Sequence, residues 1–552
     1  MKAVISVTVD NQKPMLVPEG TEVREVLPPA QDPMLPWMGA MVNNDLVSLT
    51  FPLTVNCSVR PLNTQDPDGL RIYRNSVCFL LCKAVQDVLP QARFAIEHAI
   101  GPGIYYSLDI NGTPMEEACQ KITARMLEMV EQALPIERRK LSFHEAVATF
   151  EKNGAIEKLH LLQYRNPPRI VLYQCESYCD LFHTPVTPDT AHLRHFELIP
   201  YHPGFILQLP TIQKSSEVPT FHDQPHLFRI FQEHKNWGRS LGVKTAGDLN
   251  RMIYNGDHEQ FIFTAEALHE KKLAQIADMI TSRTDPIRVI LIAGPSSAGK
   301  TTFAKRLSIH LRVHGYKPVT LGTDDYFVGE GLNPRDENGK PDYEHIESVD
   351  LESFNRDLLA LIEGRAIPVR RFDFETKAPV FSDNTIQLHQ DQVLLIEGIH
   401  GLNPRLTEMI PATQKFKIYV NAFTQLNVDS HNRISTTDNR LIRRMVRDHQ
   451  FRNHGPLQTI SMWPMVRRGE QHWIFPFEQE ADATFNSALD YELAVLKAFA
   501  EPLLMQVKTF HPEYAESRRL TEFLLNFIPI QEDLVPKDSI LREYIGGSAL
   551  RY

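Results

Sequence analysis

One nine-residue stretch constrains this chain of 552 residues more than any other. Gly294, Pro295, Ser296, Ser297, Ala298, Gly299, Lys300, Thr301 and Thr302 read GPSSAGKTT, a glycine, four residues, then glycine, lysine and threonine. Average residue usage gives this pattern by chance in roughly one chain in fifty of this length, and the flanking text removes most of that chance. Before it, RVILIAG is a continuous apolar run bounded by Pro286 and Gly294, as a strand buried on both faces must be. Behind it, Phe303, Leu307 and Leu311 recur at helical spacing. A strand, a glycine loop and a helix N-terminus in that order make a phosphate cradle, because backbone N–H groups converge on the anion. Lys300 then supplies a point charge to the outer phosphates and the Thr301 hydroxyl a ligand for Mg²⁺.

Similar apolar runs recur at QVLLIEG and KFKIYV with helical text between them, so an α/β domain with a parallel sheet is expected from about Thr284 onwards. Glu397 ends one of these strands, where a carboxylate can hold Mg²⁺ through its water shell. In PVTLGTDDYF a strand delivers paired acids soon after the loop helix, which nominates Asp324 as the base for a substrate hydroxyl. Arg440, Arg443 and Arg447 share one helical face in DNRLIRRMVRD, with Arg444 between them. Such a face either closes over phosphates or is a solvated, salt-bridged surface. A guanine-reading Asn-Lys-x-Asp segment does not follow the loop, which argues against a regulatory GTPase.

GPSSAGKTT, TDDYF, RRFDF, the strand ending at Glu397, RLIRRMVRD and EADATFNSAL together resemble the uridine kinase and phosphoribulokinase family over about half the chain. The resemblance implies ATP and Mg²⁺ as cofactors, with Asp324 the base toward a nucleoside 5′-hydroxyl, Lys300 and Thr301 on the phosphates and metal, and Glu397 the second metal-side acid. It places the lid arginines at Arg440 and Arg443. The substrate side departs from the pattern of uridine kinases. Glu344 stands where those enzymes hold the ribose with Asp, and Phe372 and Lys377 stand where Tyr and His contact the base, beside Asp373. Phosphoryl transfer survives these departures; a pyrimidine preference does not follow from them.

The first half resembles other proteins. VNNDLVSLTFPL, DPDGLRIYRNSVCFLL, GPGIYYSLD and CESYCDLFHTP match, in order, the ubiquitin-like TGS module and the second additional domain of threonyl-tRNA synthetases. That synthetase domain edits with two histidines four apart and a later Cys and His four apart, and those positions here read Phe79, Lys83, Phe182 and Val186. The resemblance therefore implies the fold without the editing site. Cys78, Cys82, Cys175 and Cys179 form two C-x₃-C pairs nearby. Four thiolates can make a zinc site, but small buried apolar side chains are the better account of them.

The expected architecture is multidomain α/β and α+β: a TGS-like module over 1–62, an editing-like α+β domain over 63–220, a helical connector over 221–283, and a P-loop kinase domain with a parallel sheet over 284–552. Within the second region a helix is expected to start at Asn75 or Ser76 and stop at Pro90. Lys plus Arg number 58 against 68 Asp plus Glu, a net charge of −10, which argues against a generally basic nucleic-acid-coating protein and leaves local basic stripes open. No uncharged apolar run approaches the roughly 20 residues of a membrane helix, so no membrane association is expected. The N-terminus meets Asp10 before a signal-like core could finish, and all six cysteines lie in the first third. A reducing, cytoplasmic setting is expected. The leading expectation is phosphorylation of a nucleoside 5′-hydroxyl, uridine or cytidine first. The alternatives are an RNA-associated or regulatory ATPase whose first half binds tRNA, and a kinase of another sugar or metabolite hydroxyl. A homo-oligomer stays open.

Overall fold

The computed structural model describes residues 3–551 except 11, 111, 166, 168, 330, 337, 338, 374, 375 and 377, with the side chains of 234, 236, 239 and 240 also left aside. The chain forms two compact units, and both are discontinuous in sequence. The first comprises Met1–Gly256, Gln425–Ile434 and Leu504–Ile528; the second comprises Asp257–Thr424, Ser435–Leu503 and Pro529–Tyr552. Within the stretch expected to be a connector, helices Pro225–Leu241 and Ala246–Asn255 fall in the first unit and His258–Thr281 in the second.

In the first unit a five-stranded sheet is built from Met15–Pro18, Val4–Val9, Cys57–Leu62, Gly39–Val42 and Asp45–Val47, in that spatial order. Alternate residues Ile5, Val7 and Val9 fill its core, which is the period-2 pattern of the sequence. The helix that follows runs Pro67–Val88, about two turns longer at its start than its apolar spacing suggested. The turn-like residues DPDG open it instead. Asp66 takes the N-cap position with extended backbone, Pro67 occupies the first turn, where its missing N–H costs nothing, and Asp68 complements the helix dipole. Around this helix lie a four-stranded antiparallel sheet, including Gly103–Asp109 and Gly204–Gln208, and a three-stranded one built on Ile170–Cys175.

The four positions of the absent editing set are filled by packing. Phe79 meets Tyr178 at 5.1 Å and Phe182 at 5.7 Å between ring centres, Val186 is buried, and Lys83 pairs with Asp87 and Glu176 at 3.0 and 2.8 Å. Hydrogen bonding and burial account for the thiols. Tyr106 donates to Cys78, Asn153 donates to Cys179, and burial pushes Cys78 and Cys175 up to about 11, so both stay protonated. Among the described residues no group of three or more His, Cys, Asp or Glu is placed to hold a metal ion.

The second unit is an α/β layer. Its all-parallel sheet is formed by β1 (Val289–Ala293), β2 (Lys317–Gly322), β3 (Gln392–Glu397), β4 (Lys415–Asn421) and β5 (Ala483–Asn486), in the order β2-β3-β1-β4-β5. Helix α1 (Lys300–Val313) follows β1, and Phe303, Leu307 and Leu311 are its fully buried row. Register then positions the chemistry. Ile292 and Gly322 both pair with Glu397, so the loop after β1, the turn after β2 and the last residue of β3 emerge at one edge of the sheet. A hairpin of Ile367–Asp373 with Ala378–Ile386, the second strand mostly exposed, carries Phe372 and Asp373. Among the described residues no helix is long and apolar enough to cross a membrane.

Candidate active site

The loop after β1 needs its glycines where the motif puts them. A Cβ on Gly294 would lie 1.9 Å from the carbonyl oxygen of Val420 on the neighbouring strand, and Gly299 sits at φ +84° as it caps α1. Ser297 between them also has positive φ, +57°, a conformation that L residues hold only when the surroundings insist. Here they do, since the Ser297 carbonyl accepts from Tyr544 at 3.0 Å and from Arg443 at 3.4 Å.

At the open end of this loop the expected groups meet. The Thr301 hydroxyl donates to Glu397 at 3.0 Å, and Lys300 reaches back to the carbonyl of Pro295 at 3.1 Å. Burial lowers the Lys300 pKa, opposed by Glu397, Glu543 and Asp324, so all three carboxylates face this ammonium. The carboxyls pay the complementary cost. Burial pushes Glu397 up to about 7 against the pull of Lys300, and raises Asp324 against Lys300 and Arg452. Several carboxyls crowded on one lysine, two of them raised, are short of cationic charge. A threonine hydroxyl beside a carboxylate is a hard-oxygen pair of the kind that holds Mg²⁺ together with phosphate oxygens and water, so these residues fit that ion.

Glu344 joins the same site. Burial, then Glu470, raise it to about 7, while Arg444 and Lys300 hold it down. It packs against Gly469, where a Cβ would come 2.2 Å from the Glu344 Cβ. Phe372 lies across the β2 side, with its ring 5.7 Å from that of Phe327 and its backbone bonded to Asp325. Asp373 accepts from the amide of Thr376 at 3.2 Å. Lys377 lies outside the described residues.

The arginines divide into two sets. They ride on α2 (Thr436–Phe451), which is preceded by the Ser435 N-cap and packs on α3 (Pro456–Trp473). Arg440 and Arg443 are fully buried, which excludes a solvated surface helix. Arg440 forks onto Glu470, one arm at 2.7 Å, and donates to the Ser296 carbonyl at 3.0 Å. Arg443 pairs with Glu492 at 2.7 Å and donates to the Ser487 carbonyl at 2.8 Å. Their charges are thus committed to carboxylates, and what they offer the loop is a hold on its carbonyls. Arg444 and Arg447 also have a carboxylate, sharing Asp448 at 3.2 and 2.7 Å, while Arg444 donates to the Ser296 hydroxyl at 2.7 Å and Arg447 is felt by Lys300.

One participant carries no sequence signal. Glu543, 241 residues past Thr302, accepts from the Thr302 amide at 3.1 Å and from its hydroxyl at 2.7 Å. A carboxylate therefore takes the helix N-terminus that the cradle offers to phosphate. Glu470 and Glu492 were likewise invisible, because only the folded contact shows which acids the arginines choose.

The chain is similar to two different kinds of known protein. In its N-terminal region it is 32% identical over 157 residues to a threonine–tRNA ligase from Geobacter sp. (strain M21), covering 28% of this chain and 25% of the ligase. A Thermotoga petrophila threonine–tRNA ligase is 32% identical over 167 residues, 29% of this chain and 26% of the ligase. The chain thus spans about a quarter of the length of these relatives. Among solved structures, a protein described as a possible uridine kinase from Bacillus stearothermophilus matches with a TM-score of 0.28 at 18% identity, over 39% of this chain and 98% of that one. D-glycerate 3-kinase from Cryptococcus neoformans matches with a TM-score of 0.18 at 14% identity, over 51% and 89%. Neither score is high enough to bear on the site. Residues 289–494, which hold the loop, Asp324, Glu344, Glu397 and the arginine helix, match the Phosphoribulokinase / Uridine kinase family.

Proposed function

We propose that the second unit transfers the γ-phosphoryl group of ATP to the hydroxyl of a small acceptor, with a nucleoside 5′-hydroxyl as the leading candidate. The observation that carries this reading is the meeting of Lys300, Thr301, Glu397 and the buried Asp324 at one sheet edge. In this reading the loop amides and Lys300 bind the β and γ phosphates. Bound Mg²⁺, held by Thr301 and Glu397, would neutralise phosphate charge. Asp324 takes the proton of the acceptor hydroxyl as its oxygen bonds to the γ phosphorus, and the bond from that phosphorus to the β-bridging oxygen breaks to release ADP. A raised carboxyl suits the task, since burial makes Asp324 a stronger proton acceptor than an ordinary aspartate.

Glu344, Phe372, Asp373 and Lys377 are assigned to the acceptor side. Arg440 and Arg443 act by fixing the loop carbonyls, and Arg444 and Arg447 are the cations assigned to charge developing on the transferred group. A panel of uridine, cytidine, purine nucleosides and sugar hydroxyls, scored by acceptor-dependent ADP release, tests the reading. Release that no acceptor stimulates refutes it. The second reading, an ATPase tied to RNA through the first half, is favoured by the likeness to threonine–tRNA ligases. It requires that tRNA, rather than a small hydroxyl, stimulate release in the same assay.

A further inference from the structure

The first unit contains a cavity of about 540 Å³ that none of the chemistry above uses. Its walls come from several parts of the chain, all within that unit: the strand Asp45–Val47 and the residues after it, Arg138 on the strand Glu137–Leu141, the end of the helix Ile156–Gln163 with Arg165 and Arg169 beyond it, the strand Ile170–Cys175, the loop 181–185, and the helix Tyr514–Leu524 with Leu525. Five arginines line it, Arg138, Arg165, Arg169, Arg518 and Arg519, against two acids, Asp45 and Glu522. The local balance is 5 − 2 = +3 on a chain whose net charge is −10.

The cations are unevenly matched. Asp45 pairs with Arg518, and Arg519 with Glu516 at 2.6 Å. Arg165 is 11% exposed, bonds the neutral Asn526 at 3.0 Å and has Glu522 only at 3.9 Å. Burial lowers its pKa, and Glu522 does not restore it. Arg138 bonds the Tyr173 hydroxyl and is felt by Asp45, but among the described residues neither it nor Arg169 has a carboxylate within ion-pair distance. His183 adds a buried Nε2 without a hydrogen-bond partner, and burial followed by Arg165 holds the ring down to about 4, so it is neutral. A desolvated guanidinium, Arg165, beside the half-buried Arg138 and the exposed Arg169, none with enough carboxylate, is stabilised by an anion that brings several oxygens. The remaining wall is apolar and aromatic, from Leu46, Phe51, Leu162, Ile170 and Phe182.

We propose that this cavity binds a free nucleotide carrying a diphosphate, with its phosphates on Arg138, Arg165 and Arg169 and its base against the apolar wall. A lone inorganic anion would leave most of the volume empty, whereas a pocket of several hundred Å³ lined by both guanidiniums and apolar side chains suits a ligand with a charged and an apolar part. This site is independent of the phosphotransfer reading, and its test reads a different part of the chain.

Hydrogen–deuterium exchange on the full chain, with ADP, GDP, CDP, UDP or inorganic pyrophosphate added in turn, decides it. At least one of the four nucleotides should protect peptides spanning 45–51 and 169–185. The double variant Arg138→Gln/Arg169→Gln should weaken that protection at least tenfold in nucleotide concentration, while any protection of 294–302 stays as in the wild type. An unchanged melting temperature shows that the variant is folded; if it is not, Arg169→Gln alone, at an exposed position, is read in its place. No protection of these peptides by any nucleotide, protection that survives the substitution, or protection by pyrophosphate equal to that by every nucleotide overturns the proposal. Protection only by an oligoribonucleotide ending in a free 3′ hydroxyl also overturns it, in favour of an RNA site.

Discussion

Glu397 makes the affinity for Mg²⁺-nucleotide depend on pH in a way that can be worked out beforehand. In the ligand-free protein burial holds its carboxyl at about 7, against the pull of Lys300 and with Glu543 and Asp324 pushing the same way as burial. Metal-side work needs the ionised form. A group of that pKa is about one-tenth ionised at pH 6 and about nine-tenths at pH 8, so the apparent dissociation constant of Mg²⁺-ADP should fall about tenfold over that interval. About half a proton should leave the protein per ligand bound at pH 7. Titration calorimetry in two buffers of different protonation enthalpy measures both. The ligand's own phosphate titrates in the same range, so the difference between wild type and Glu397→Gln is the quantity to read. The sign for stability is opposite. The folded pKa lies above the unfolded value, so the contribution of Glu397 to folding is fully present below about pH 4.5 and is lost as pH rises through 7. Glutamine at 397 should flatten both slopes. If wild type and Glu397→Gln share one pH dependence of binding, Glu397 is not the metal-side acid and the arrangement around Thr301 has been misread.

Asp324→Asn should bind ADP as wild type does and lose turnover by about 10² to 10⁴, the worth of a positioned base; a near-normal rate would move that role to Asp325. Glu543→Gln should tighten ATP binding about tenfold, because an anion on the Thr302 amide and hydroxyl no longer opposes the arriving phosphate; equal or weaker binding would make Glu543 part of the nucleotide site instead. Arg440→Met strands Glu470 in a buried position, so thermal unfolding should show a loss of about 3 kcal/mol, and a loss under about 1 kcal/mol would mean that Arg467, 2.7 Å from Glu470, compensates. The first unit should not deacylate mischarged threonyl-tRNA even at stoichiometric protein, since Phe79, Phe182 and Val186 fill the space that side chains for catalysis would need; measurable hydrolysis would place that activity on other residues.

The site was legible where its signal is local. GPSSAGKTT sits in one window, and parallel register carries its neighbours with it: once β1, β2 and β3 are recognised as apolar runs, Asp324 and Glu397 must emerge at the edge where the loop does. The start of Pro67–Val88 was missed for a local reason of another kind. DPDG is good turn chemistry and equally good helix-opening chemistry, and only the chain that precedes it chooses between them. The strand Ala378–Ile386 gave no signal because most of it is exposed and it has no apolar face to repeat.

The two units show a deeper limit, because the first takes back Gln425–Ile434 and Leu504–Ile528 from within the second half of the sequence. Nothing in composition marks those crossings. Asn427 donates to the Ile96 carbonyl at 2.7 Å, and Asp180 is shared between Lys158 at 2.7 Å and His431. Each is a partnership of polar groups far apart in sequence, and a polar residue in text reads as surface until its partner is known. The arginine helix is the same case. Spacing put Arg440, Arg443 and Arg447 on one face, but whether that face meets water, phosphate or carboxylate depends on Glu470 and Glu492, two acids that are unremarkable in sequence. Buried guanidiniums need such partners, because an unpaired charge in the interior would cost more than the fold can bear. The chain leaves the second unit at Thr424 and returns at Ser435, which caps the arginine helix. A segment that belongs to the first unit thus runs directly into the helix that grips the phosphate loop.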